Sequence, residues 1–254
     1  MSLVKIVIPL YKETLSAQEK QALANNVNIL SAYPITFLKP EGTDVSVVTS
    51  GYPQAEVLEV SAEWLGRKRG IAGYNEMMMS KEFYDMFSDY EYILICQTDV
   101  WIFRDELMRW CERGYDIVAA PWPTRPRYRH FPLKQLFSLR KAICPNSKSV
   151  QRQEKCGKVG NGGLSLRRIA SFQAACLRYS DEIEHFMRIK ENEDIFWAFV
   201  PEDFNYPSEK AALEFSFDNK PALCYRLNGK RLPMGCHGYM HKSRLEFWRR
   251  FIDC

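Results

Sequence analysis

No stretch of this 254-residue chain approaches the roughly 18 consecutive apolar residues of a membrane-spanning helix. The amino-terminal MSLVKIVIPLYK has neither the basic start, the long apolar core nor the small-residue cleavage site of a secretory leader, so an intracellular protein is expected. Eight cysteines lie far apart, at 96, 111, 144, 156, 176, 224, 236 and 254, without C-x-x-C or a paired zinc spacing. That excludes a disulfide scaffold and a structural zinc module. Reduced thiols, mostly small core residues, are expected, with Cys254 as an exposed tail. The first apolar strand is not followed by G-x-G-x-x-G, which disfavours a nicotinamide-dependent dehydrogenase. A G-x-S-x-G elbow is missing, which disfavours an α/β hydrolase of that type.

What is present is organised around EYILICQTDVWIF, Glu91 to Phe103. Tyr92-Ile93-Leu94-Ile95-Cys96 is too short for a helix and rich in β-branched residues, so it reads as a strand buried on both faces. It ends on Gln97-Thr98-Asp99, where α/β sheets bind ligands, beyond the carboxyl ends of their strands. Asp99 reads either as a turn aspartate capping the helix that begins near Asp105, or as a ligand for a divalent cation.

Upstream, VKIVIPL at 4–10 is a first buried strand whose Pro9 argues against a long central position. Ser16 and Glu19 form a capping box ahead of a helix that Tyr33-Pro34 breaks. ITFLKP is a second strand, and DVSVV at 44–48 a weaker strand or extended piece. Strand, helix, strand opens a doubly wound sheet. Glycines at 66, 70 and 73, with Arg67, Lys68 and Arg69 among them, precede a helical pattern. Such a segment reads as a turn or as a cradle for a diphosphate, though not a P-loop, since no Gly-Lys-Ser/Thr follows.

Downstream, a short helix from Asp105 is closed by Gly114, and YDIVAAPW is a further strand. From Arg125 to Lys158 there are ten Lys or Arg and one acid, Glu154: a net +9 that leaves −5 elsewhere in a chain of net +4. The segment 124–158 is expected to be a long loop or lid. Its charge suits phosphate, anionic lipid or an acidic acceptor. Nucleic acid is not expected, because no recognition or stacking motif accompanies the charge. Gly160, Gly162 and Gly163 read as a turn or as a floor on which a substrate approaches the main chain. Glu191, Glu193 and Asp194 are acids at a helix start, either dipole-favoured caps or a general base. His237, between glycines 235 and 238, is a candidate metal ligand.

Taken together, W-L-G-x-x-x-G-x-x-G-Y-N, F-Y-x-x-F-x-D-Y-E-Y-I-L-I-x-Q-x-D, G-N-G-G-L-S-L-R, E-D-I-F-W and G-C-H-G-Y resemble a bacterial family assigned to the glycosyltransferases. The resemblance spans roughly residues 4 to 240. It implies an α/β, GT-A-like (Rossmann-like) fold: a mostly parallel sheet flanked by helices, in a single domain with a basic insert. Residues 1–123 would bind a nucleotide-sugar, 124–158 form a basic loop or lid, and 159–254 bind the acceptor.

Residue by residue, Asp99 stands for the last acid of an Asp-x-Asp motif that holds Mn²⁺ or Mg²⁺ and the donor diphosphate. Gln97 replaces the first acid. His237 would complete the metal shell. Tyr11, Arg69, Tyr74, Asn75, Gln97, Asp99, Gly162 and Gly163 are the implied donor-site residues. Glu193 and Asp194 are the implied acidic pair, with Asp194 taking the acceptor proton, which implies inversion. The implied partners are a nucleotide-sugar donor and a glycan or lipid-linked acceptor in cell-surface polysaccharide synthesis, with peripheral membrane contact through 125–158 at the cytoplasmic face. A catalytically silent nucleotide- or sugar-binding protein and a nucleotidyltransferase are the competing readings.

Overall fold

The computed structural model describes residues 2–253 other than 67 and 146, so the sequence readings of Arg67 and Cys254 lie outside the described residues. Strand β1 (Ser2–Pro9) leads to α1 (Ala17–Ile29), β2 (Ile35–Pro40), a helical turn α2 (Ser46–Thr49) and β3 (Glu56–Val60). The capping box is formed: Glu19 N–H donates to Ser16 Oγ at 3.2 Å, and Ser16 N–H donates to Glu19 Oε2 at 2.9 Å. DVSVV is not a strand. Asp44 Oδ1 accepts from Ser46 N–H at 2.9 Å and starts α2 instead. The third strand is the charged EVLEV, which lies at the sheet edge with only Val60 buried. An edge strand needs no double-sided apolar pattern, and its glutamates hid it.

Helices α3 (Ile71–Met78) and α4 (Lys81–Asp85) precede β4 (Tyr90–Cys96), and β5 (Val100–Ile102), α5 (Leu107–Cys111) and β6 (Ile117–Ala119) follow it. Strands β3-β2-β1-β4 are parallel in that order. Beyond β4 the sheet continues through β7 (Leu164–Arg168), antiparallel to both β4 and β6. Pro9 does not keep β1 from the interior of the sheet: it is the last residue of the strand, paired with Leu38.

Alternation along β4 sends Tyr92, Leu94 and Cys96 to a core shared with α1, and Ile93 and Ile95 to a second core on the opposite face. All five are at most 1% exposed, as a strand covered on both faces requires. Truncating Leu94 to Ala should cost about 2–5 kcal/mol.

The segment expected to be a loop is largely helical. A 3-10 turn (Pro126–Arg129) precedes α6 (Leu133–Ile143) and α7 (Lys148–Glu154). After β7 come α8 (Ile169–Arg178), α9 (Ser180–Ile189), α10 (Glu193–Phe199), α11 (Glu209–Phe215), β8 (Ser216–Phe217), α12 (Pro221–Leu227), β9 (Gly235–His237) and α13 (Lys242–Trp248).

Strands β5, β9 and β8 form a second, small sheet. Buried Asn26 on α1 ties it to the main sheet: its Oδ1 accepts from Ile102 N–H and its Nδ2 donates to the Val100 carbonyl, both at 2.8 Å. No described helix is long and apolar enough to cross a membrane.

Candidate active site

The small sheet assembles one end of the site by register. Val100, the first residue of β5, pairs with His237, the last of β9, which places Asp99 beside the imidazole. Gly238 N–H locks this by donating to the Asp99 carbonyl at 3.0 Å. Strand β8 runs parallel to β9 with Phe217 opposite Cys236, so Asp218 arrives on the other side of the ring. The result is a row: Asp99 Oδ1 lies 3.3 Å from His237 Nε2, and Asp218 Oδ1 lies 3.5 Å from His237 Nδ1.

Asp218 is buried and held by Arg244 and by Asn161, whose Nδ2 donates at 2.7 Å. Burial alone would lower the His237 pKa. The flanking carboxylates outweigh it and raise it to about 10, so without a metal the ring is a cation between two anions. Burial likewise opposes ionisation of Asp99, but His237 overrides it and holds the carboxyl below its ordinary value.

The main sheet supplies the second set. Strand β7 begins where β4 ends, and Gln97 N–H donates to the Gly163 carbonyl at 3.0 Å. Gly162 and Gly163 are needed here by neighbouring side chains rather than by an open floor. A Cβ at Gly163 would lie 2.2 Å from the His237 ring, and one at Gly162 would lie 2.1 Å from Glu193 Oε1. Both glycines nevertheless line a cavity of about 550 Å³ at the carboxyl ends of the strands. Its first wall is Pro9, Tyr11, Leu65, Gly66, Gly70, Ile71, Tyr74 and Asn75. Its second carries Asn161, Asn192, Glu193, Asp194 and His237, with Gln97 between the two.

The adjacent acids part company. Glu193 is 3% exposed and is the counter-ion of Arg167, a fully buried arginine on β7, at 3.1 Å. Arg167 also donates to Ser165 Oγ at 3.0 Å and to Tyr84 Oη at 2.9 Å. Burial pushes the Glu193 carboxyl up, and Arg167 opposes that shift. The sequence reading placed Glu193 in the catalytic pair; here it lines the cavity while its oxygens pair with the buried Arg167 charge. Asp194 faces the cavity, and its Oδ1 is buried without a hydrogen-bond partner. Burial raises its pKa, opposed by the Ile195 backbone and by Lys155, and reinforced by Asp218 and Glu191.

Other implied donor-site residues sort as follows. Tyr11 is 44% exposed at the cavity mouth, with the Lys12 ammonium 5.0 Å from its ring centroid. Tyr74 Oη accepts from Gln97 Nε2 at 3.0 Å, which fixes the amide against the first wall. Asn75 is buried and fastens α3 to α10, donating to Asn192 Oδ1 at 3.3 Å and accepting from Glu193 N–H at 3.4 Å. Arg69 does not line the cavity and is paired with Glu76 at 2.5 Å, while Lys68 is paired with Glu63. Gly70, with φ of 54°, and Gly66, with φ of 125°, serve the backbone path, and a Cβ at Gly73 would collide with the Glu63 carbonyl. The described residues of that segment therefore offer a wall rather than a cationic cradle.

Sequence reasoning missed Asp218, Asn161, Arg244 and Arg167. Asp218 had a usable signal, a carboxylate ending the alternating run Phe215-Ser216-Phe217. Arg244 had none.

Among the described residues no three His, Cys, Asp or Glu side chains converge on one point. Asp99 and His237 can still supply two ligands. The carboxylate of Asp218 behind Nδ1 is the outer support that metal-binding imidazoles carry, and Nδ1 is otherwise without a hydrogen bond. The donor set fits a divalent ion held at two points, with the remaining positions filled by oxygens from water or a ligand.

No curated protein matches the sequence. Solved structures do match in shape. The galactosyltransferase LgtC, in complex with donor and acceptor sugar analogues, aligns with a TM-score of 0.53 at 14% identity over 92% of this chain and 86% of that one. Mouse xyloside xylosyltransferase 1, in its apo form, aligns with a TM-score of 0.52 at 10% identity over 93% and 97%. At these identities the likeness shows the fold alone, and that fold is the GT-A type. Residues 54–237, most of the chain, match the family described as "Protein of unknown function (DUF5672)", and the chain belongs to that family.

Proposed function

We propose that the protein is a glycosyltransferase that moves a sugar from a nucleotide-sugar donor to a hydroxyl of a glycan or lipid-linked acceptor, in the assembly of a cell-surface polysaccharide. The observation that carries this reading is Asp194. It is a carboxylate with a raised pKa and one buried, unsatisfied oxygen, on a residue that lines a cavity at the carboxyl end of a GT-A sheet.

In this reading residues 1–123 hold the donor. Tyr11 stacks on the base, and Tyr74 and Gln97 present polar groups to the ribose or phosphate. Residues 159–254 hold the acceptor, and 124–158 flank its approach. Asp194 takes the proton of the acceptor hydroxyl. That oxygen bonds to the anomeric carbon as the bond from this carbon to the diphosphate oxygen breaks, and the nucleoside diphosphate leaves with the electron pair. Asp99 and His237 would hold Mn²⁺ or Mg²⁺, which when bound neutralises charge on the leaving diphosphate. A base acting directly on the acceptor inverts the anomeric centre, and proton NMR of the product anomer distinguishes this from retention.

The test is nucleoside diphosphate release from a panel of nucleotide-sugars, with sugar acceptors and with and without Mn²⁺. Release with one donor, lost in Asp194→Asn, is the expected result. Pyrophosphate release from nucleoside triphosphates would replace the reading with nucleotidyl transfer. Binding without turnover in every combination would leave a silent binding protein.

A further inference from the structure

Helix α6 is 11 residues long and buries none of them. A helix of that length is marginal in water without a packed face, yet its apolar face is open. Phe131 is 80% exposed, Leu136 56%, Leu139 58% and Ile143 68%. The three helical residues, spaced i, i+3 and i+7, share one face. They line a shallow groove of about 780 Å³ together with Arg125, Arg140, Arg152 and Lys220. The single acid of the insert, Glu154, is taken by Lys141 at 2.9 Å. Among the described residues the four groove cations have no ion-pair partner.

Exposed aliphatic side chains and unpaired cations on one surface specify what covers it. A second copy of this chain would set +9 against +9. An acidic protein would satisfy the charges, but a helix stripe flanked by Arg and Lys is the pattern of a helix lying in a lipid interface. There long basic side chains keep their heads among anionic headgroups while their stems lie on the apolar layer.

We propose that α6 and the turn before it dock on an anionic lipid bilayer. Phe131, Leu136, Leu139 and Ile143 enter the acyl boundary, and Arg125, Arg140, Arg152 and Lys220 contact headgroup phosphates. Lys220 lies two residues after Asp218, so this face adjoins the small-sheet end of the cavity. The proposal goes beyond glycosyl transfer and does not depend on it.

The experiment is sedimentation of the full chain with vesicles of phosphatidylcholine alone or mixed with phosphatidylglycerol. Binding is expected only to the mixed vesicles and should weaken with salt. Leu139→Ser with Ile143→Ser should lower vesicle affinity roughly tenfold or more, and Arg140→Gln with Arg152→Gln roughly 25-fold. All four side chains are exposed, so thermal midpoints should not move. No sedimentation with phosphatidylglycerol would overturn the proposal in favour of a protein partner. Binding that survives the serine pair would overturn insertion. Competition by inorganic phosphate beyond that of chloride at equal ionic strength would show a phosphate site instead of a lipid surface.

Discussion

The wall supplied by residues 9–75 and the wall supplied by residues 161–237 enclose one cavity with opposite chemistry. The first presents a proline, two tyrosines, Leu65 and Ile71, and the second presents Asn161, Asn192, Glu193, Asp194 and His237. The first wall is built by parallel strands and the segment leading into α3, where rings and glycines give flat surfaces. The second is built just before antiparallel β7, at the amino-terminal turn of α10 and at the end of β9, the central strand of the small sheet. There a helix start and a strand end deliver charges to one side of the cavity. A nucleotide-sugar has the same polarity, with a flat base at one end and a reacting phosphate–sugar bond at the other. Under the proposed function, the contrast between the walls would give the donor a direction.

The sharpest way to break the comparison lies within the second wall, between two neighbours in sequence. Asp194→Asn should lower turnover about 10²–10⁴-fold, the range of a general base, measured as nucleoside diphosphate release. It should not destabilise the fold. The folded pKa of Asp194 is raised above its unfolded value, so its contribution to stability is fully present in acid and is lost as pH rises through the folded pKa. Asn removes that dependence, so the thermal midpoint of the variant should equal that of wild type in acid and exceed it at neutral pH.

Glu193→Ala should do the reverse. It strands the buried Arg167 charge and should cost about 3–5 kcal/mol in a denaturant titration. Asp218→Asn withdraws the support behind His237 and should weaken Mn²⁺ affinity about 10–100-fold in a direct metal titration. On the first wall the effect is smaller. Tyr11→Ala should cost about 1 kcal/mol of nucleotide affinity, the lower end for a stacked base, because the ring is partly exposed. Finally, the proposed base role needs Asp194 unprotonated, and burial raises its pKa, so turnover should decline on the acid side at a higher pH than an unperturbed aspartate would give.

The first wall was the more legible in the sequence. Strands β1, β2 and β4 announce themselves by apolar runs, and α1 by its capping box, because local patterns dictate them. The second wall was legible only in part. Asp194, His237 and Asp99 stood out as charges beside apolar or glycine-rich segments. Their partners did not, because Asp218 reaches His237 only through the register of a three-stranded sheet with strands of two or three residues, and Arg244 arrives from α13. Such short strands have no periodicity to read. The same limit explains β3, whose edge position tolerates glutamates, and the insert, whose helices show a basic composition before they show a pattern. Gly162 and Gly163 were singled out for their rarity; their missing side chains make room for Glu193 and His237, and both also line the cavity.

The central claim is that the two walls together bind a nucleotide-sugar. Calorimetric titration of nucleoside diphosphates and their sugars, with Mn²⁺, into wild type, Tyr11→Ala and Gly163→Ala tests it most directly. The account predicts saturable binding of one nucleotide class. That binding should weaken in Tyr11→Ala and should be lost in Gly163→Ala, where a methyl group must displace the His237 ring. Binding that both substitutions leave unchanged, or no binding of any nucleotide to wild type, would contradict it.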